Sequence, residues 1–177
     1  MRIIMIIALQ AYAFFLVAIQ QYSGVHTDEA KYLLDIPYPH PPAFRWFFDS
    51  FGYNPLQDVY ARFFVAALLV NSVWFLYPVA KRYVQGMELP VCALWLFSGG
   101  LIIQGGTAMM SSVNAWQGMV FVIAALNAQR IAKQSNTGGA YAGLGLFWLF
   151  SLFTGYQAVL YAPLLWWVYR KSTLPLW

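Results

Sequence analysis

Charge is what this sequence has least of. Only 9% of its 177 residues are Asp, Glu, Lys or Arg, against about a quarter in soluble domains. So few charges cannot cover a water-facing surface around a chain that is 61% hydrophobic. Cysteine is nearly absent. Cys92 stands alone in an apolar run, which excludes an intrachain disulfide and a Cys-based metal site and leaves a buried, inert thiol as the expectation. The net charge of +4 suggests nucleic acid only until the basic residues are located. They sit at the ends of apolar runs rather than along a stripe, so no nucleic-acid partner is expected.

Aromatic residues and long apolar runs are abundant. Aromatics make up 19% of the chain, with eight Trp, as suits rings that anchor helices at headgroup level. A bilayer core about 30 Å thick needs roughly 20 mostly apolar residues per spanning helix. The length therefore accommodates about five or six spans and one sizeable loop. The expected fold is all-α: a polytopic integral membrane protein, one transmembrane domain over 1–177, with a long first loop over about 23–60.

The first apolar run extends from Ile3 to about Tyr22, behind Arg2. Ala11-Tyr12-Ala13 has the small-x-small form of a signal-peptide cleavage site. The run continues through Phe14 to Ile19, which favours an uncleaved first span. Further runs cover Phe63–Ala80, Leu89–Ile103 and Trp116–Leu126. Gly99-Gly100 and Gly105-Gly106 loosen the far end of the third. A polar patch of Thr107, Ser111, Ser112 and Asn114 precedes the fourth. Tyr141 to Tyr169 is long for one span and short for two, and Thr154-Gly155 is the best turn site. Two short helices are the preferred reading; one long tilted helix is the alternative. Gly99-Gly100 and Gly143-x-Gly145 are read as close helix contacts rather than pore lining.

Orientation follows from charge. With the N-terminus inside and spans alternating, Arg2, Lys81, Arg82, Arg130, Lys133, Arg170 and Lys171 all fall on the cytoplasmic side. Only Lys31, Arg45 and Arg62 fall outside. The expectation is an integral protein of a plasma or inner membrane, both termini cytoplasmic and the first loop external.

That loop carries the chemistry-bearing residues. His26-Thr27-Asp28-Glu29-Ala30-Lys31-Tyr32 follows the first span, and His40-Pro41-Pro42 comes eleven residues after the acidic pair. Ala30–Ile36 suits a short helix; the prolines from Pro37 to Pro42 do not. Ala43–Phe51 is aromatic enough for an amphipathic helix at the interface. A carboxylate at the water–lipid boundary can accept a proton from a hydroxyl, or hold a divalent cation against a phosphate leaving group. Asp28 and Glu29 read equally well as solvated loop residues or as favourable first-turn charges of a helix. His26, Asp28 and Glu29 have no recognised metal-ligand spacing, so no metal site is assigned.

Thr27-Asp28-Glu29-Ala30-Lys31-Tyr32 followed by His40-Pro41-Pro42 resembles the first external loop of GT-C membrane glycosyltransferases, the protein mannosyltransferase-like and aminoarabinose transferase-like enzymes. Their D-E-A/x-x-Y and H/K-P-P segments occupy the same places. Ser111-Ser112-Val113-Asn114-Ala115 is similar to the family's T-x-D-x-P/A patch before the fourth span. Gly143 to Phe147 with Ala162-Pro163-Leu164-Leu165 is similar to its G-L-x-x-G and P-x-L hairpin. The resemblance implies an inverting transferase that takes a sugar from a polyprenyl-phosphate donor and attaches it to an acceptor on the outer face. It implies Asp28, with Glu29 beside it, as the catalytic acid pair. His40, Arg45, Arg62 and Asn114 become substrate-binding candidates, because an Arg fork suits phosphate oxygens. Snorkelling at the interface is the competing reading for Arg45 and Arg62.

The chain departs from the family in three ways. Asn114 stands where an Asp is usual, and an amide is no base near neutral pH. Ser151-Leu152-Phe153 stands where the family carries a Lys. Relatives run to several hundred residues, so a truncated product, half of a split enzyme with a partner membrane subunit, or a non-catalytic remnant that binds lipid or a partner are the alternatives to a complete enzyme. A channel or transporter is disfavoured because no ionisable residue falls at mid-depth of the spans.

Overall fold

The structure, a computed structural model, describes residues 2–21, 30, 31, 34, 36, 42–50, 57–132 and 137–170. All regular structure among them is helical. The helices are α1 (Arg2–Gln21), α2 (Ala43–Asp49), α3 (Gln57–Asn71), α4 (Val73–Tyr83), α5 (Glu88–Leu96), α6 (Gly99–Gln104), α7 (Met110–Ala132) and α8 (Thr137–Thr154). A 3-10 segment (Tyr156–Tyr161) and α9 (Ala162–Arg170) complete them.

Among the described residues two stretches, Arg2–Gln21 and Asp58–Tyr83, are long and apolar enough to cross a membrane; Glu88–Gln104 and Gly138–Thr154 are shorter apolar helices. Only 22% of the apolar window of α1 is buried, whereas the core helix of a soluble protein is mostly buried. Ile3, Ile4, Ile6, Ile7, Phe14 and Phe15 all point outward. A contiguous apolar exterior of this kind suits lipid rather than water.

Contacts along the helices fix their directions. Gln10 donates to Asn71 and Arg62 reaches the Gln20 carbonyl, so α1 and α3 are antiparallel. Tyr12 donates to the Leu96 carbonyl and Gln20 to that of Ile102, so α1 runs parallel to α5–α6. The Gln117–Thr154 bond and the Trp116–Phe147 ring contact set α7 antiparallel to α8. The Tyr169 hydroxyl returns to the Tyr141 carbonyl at 2.5 Å and Trp148 donates to Ala158. Tyr141–Tyr169 is therefore two antiparallel segments, turning at Gly155 as the sequence suggests. The result is an up-and-down bundle of six segments: α1, α3–α4, α5–α6, α7, α8 and the 3-10 segment with α9. Arg2, Lys81, Arg82 and Arg170 gather at one end, and Arg45, Asp49, Asp58 and Arg62 at the other.

Local chemistry explains the breaks. At Ser72 the hydroxyl bonds back to the Leu69 carbonyl and Asn71 Nδ2 to that of Ala67, side-chain competition that bends helices. Pro78 removes one further backbone donor. The third segment is broken at Ser98, whose Oγ accepts from the Leu101 amide and so caps α6. Most of the polar patch before the fourth run is helical: Ser111, Ser112 and Asn114 lie in the first turns of α7, which begins at Met110.

The glycine assignments need correction. A Cβ at Gly99, Gly100 or Gly143 would meet nothing within 4 Å, and one at Gly145 only the Tyr169 hydroxyl at 3.2 Å. The close approaches are elsewhere. A Cβ on Gly106 would lie 2.6 Å from the Leu16 carbonyl carbon of α1, and one on Gly118 would lie 2.8 Å from the Tyr161 hydroxyl. The core itself joins α1 to α3, with Ala13, Leu16, Val65, Ala66 and Val70 buried together, and Cys92 lies in the same cluster.

Candidate functional site

Arg62 is the largest fully buried side chain, 2% exposed. Arginine is almost never buried to this degree without partners. Its place on the second turn of α3 sets it against the end of α1, where Nη1 lies 3.5 Å from the Gln20 carbonyl, and it makes a further interaction. That carbonyl belongs to the last turn of α1, where backbone oxygens lack helical partners and a cation is favoured. Snorkelling does not describe Arg62, because its charge is enclosed rather than extended to water. The guanidinium stands against the end of α1, at Gln20, eight positions in sequence before Asp28.

The structure treats the other candidates differently. Arg45, on α2, is half-buried, donates from Nη2 to the Ile36 carbonyl at 2.6 Å and makes a further interaction. It ties α2 to the loop segment before it. The Leu34 amide bonds to the Ala30 carbonyl, in keeping with a short helix there. Asp28, Glu29, His26 and His40 lie outside the described residues. No three His, Cys, Asp or Glu side chains converge among the described residues.

Asn114 is buried near the start of α7. Its Nδ2 donates to Gln157 Oε1 at 2.8 Å, and its backbone carbonyl accepts from the Tyr161 hydroxyl. Gly155 makes room for it, since a Cβ there would lie 2.7 Å from Asn114 Cγ. One turn further, Gln117 donates from Nε2 to Thr154 Oγ1 at 2.9 Å. These amides pair across helices, each bond contributing about 0.6 kcal/mol in a bilayer setting. The match is incomplete, because Asn114 Oδ1 and Gln117 Oε1 are buried without a partner. Ser151, next to the Leu152 that stands in place of the resembled family's Lys, is fully buried and its hydroxyl donates to the Phe147 carbonyl.

Beside these amides lies a cleft of about 300 Å³ between α2, α3, α7 and α8. Ala43 and Phe47 of α2 cover it, Phe64 and Leu68 form one wall, and Gln117 and Thr154 lie on its lining. The Phe47 and Phe64 rings are 5.1 Å apart. The sequence contains one signal for this site: Asn114 and Gln117 are three residues apart, hence on one helix face. Nothing in the sequence announces that α2 folds over them.

No protein-family model, curated protein or solved structure matches the chain.

Proposed function

We propose that this protein is a polytopic membrane glycosyltransferase, or the N-terminal part of one, whose six segments all cross the bilayer with both termini cytoplasmic. It transfers a sugar from a polyprenyl-phosphate donor to an acceptor on the outer face. The observation that carries this reading is the enclosed Arg62 charge against the end of α1, at the bundle end opposite Arg2, Lys81, Arg82 and Arg170. A buried cation next to an apolar bundle suits a ligand that is a phosphate on a hydrocarbon chain. In the reaction, the acceptor hydroxyl oxygen attacks the anomeric carbon as its proton passes to the Asp28 carboxylate. The bond from that carbon to the phosphate oxygen breaks, and polyprenyl phosphate leaves with the electron pair.

Arg62→Lys keeps the charge and discards the planar fork. Donor binding, followed by native mass spectrometry in lipid nanodiscs, is expected to weaken by about tenfold or more, because a charge-assisted hydrogen bond contributes about 1.5–3 kcal/mol. Unchanged binding in a folded Arg62→Lys protein removes the arginine from the donor site.

Topology has its own test. In a background lacking Cys92, a cysteine at Ser50 is expected to react with an impermeant maleimide added to intact cells. One at Gln85 should react only after the membrane is opened. The reverse pattern contradicts the orientation.

A second reading has a specific observation behind it. Asn114 is occupied by Gln157, Tyr161 and Gly155, a structural duty rather than a catalytic one. That favours a non-catalytic subunit of the same fold that binds lipid or a partner membrane protein.

A further inference from the structure

We propose that the cleft between α2, α3, α7 and α8 is a binding site for a neutral long-chain lipid alcohol, with the alcohol hydroxyl hydrogen-bonded to the Gln117 amide. This site is separate from Arg62 and does not depend on the glycosyl-transfer reading. Its described lining is Ala43, Phe47, Phe64, Leu68, Val113, Trp116, Gln117, Phe150 and Thr154, none of them ionisable. The size, about 300 Å³, is at the lower end of small-molecule sites, which run to about 1,000 Å³ and combine apolar walls with a few polar groups. A charged headgroup would enter such a lining without compensation.

The polar group that selects the ligand is Gln117. It is 1% exposed, yet half of its amide lacks a partner. Leaving that oxygen unpaired costs about 1–3 kcal/mol, so a ligand that pairs it recovers the loss. The oxygen is buried, and rotation about the soft terminal torsion of the side chain turns it toward the cavity. Thr154 Oγ1 can accept from or donate to the amide, so either end of the amide can become the unpaired one. A hydroxyl, donor and acceptor at once, satisfies both orientations. A ketone or ether satisfies one. An alkane satisfies neither.

The test uses the full chain in lipid nanodiscs with a long-chain primary alcohol carrying a diazirine. Cross-links are expected on the α2, α7 and α8 residues of the lining. 1-Dodecanol should compete for them better than dodecane, by about three- to tenfold for one hydrogen bond. Gln117→Leu should abolish the advantage of alcohol over alkane while cross-linking persists. Val113→Phe, which fills the cavity and spares the amide, should abolish the cross-links. Labelling spread evenly over the lipid-facing surface overturns the proposal. So does equal competition by alcohol and alkane, which would mean that water satisfies the amide.

Discussion

Gly106→Ala is expected to destabilise the bundle by about 3 kcal/mol or more, at or beyond the usual upper range for overpacking. The reason is what the new methyl meets. It would lie 2.6 Å from the carbonyl carbon of Leu16 and 2.8 Å from Gln20 Cγ. The first obstacle is backbone at a fully buried position of α1, which cannot rotate aside. Relief requires α1 to move away from the turn after α6, and that movement loosens the Leu16 packing and the neighbourhood of Arg62 together. Thermal unfolding in mild detergent measures the loss. Gly143→Ala is the matched control: it lies within α8 with open space around it. That exchange should be neutral or stabilising by up to about 1 kcal/mol, the helix-propensity difference between the two residues. Equal behaviour of the two variants would mean that the bundle does not pack α1 against Gly106.

Asp28→Asn is the substitution with the largest expected effect on activity. The amide keeps the size and hydrogen-bonding capacity of the carboxylate but cannot take a proton. If Asp28 receives the acceptor proton, transfer should fall by about 10²–10⁴-fold, the usual contribution of a general base. Membrane yield and unfolding temperature should remain those of the parent, since the amide has the size and shape of the carboxylate it replaces. Transfer of labelled sugar from polyprenyl phosphate in membranes reads the outcome. Full activity in Asp28→Asn removes the base assignment. Loss of yield together with activity assigns the residue to folding instead.

Much of the helical architecture is legible in the sequence because it follows from composition along the chain. Long apolar runs mark α1, α3–α4, α7 and α8, and Gly155 ends α8 where the turn was expected. What the sequence conceals depends on neighbours. Arg62 reads as an interfacial snorkelling residue because hydropathy does not reveal that the end of α1 closes over it. Asn114 reads as part of a polar patch before the fourth run, and its particular partners, Gln157 and Tyr161, lie more than forty positions away. The glycines make the same point. Gly99-Gly100 and Gly143-x-Gly145 look like helix-contact motifs, yet of these four only Gly145 faces another segment, at the Tyr169 hydroxyl, and the tightest approaches fall at Gly106, Gly118 and Gly155. The glycines of the third run suggest a loosened far end, while the break itself is organised by Ser98, through its cap on α6.

Native mass spectrometry of the protein released gently from its own membranes tests the central claim most directly. The account predicts the 20.1 kDa chain carrying a bound polyprenyl phosphate, alone or with a second subunit, and loss of that lipid in Arg62→Lys. A partnerless chain that never carries a phosphate-bearing lipid, even when polyprenyl phosphate is added back, would contradict it.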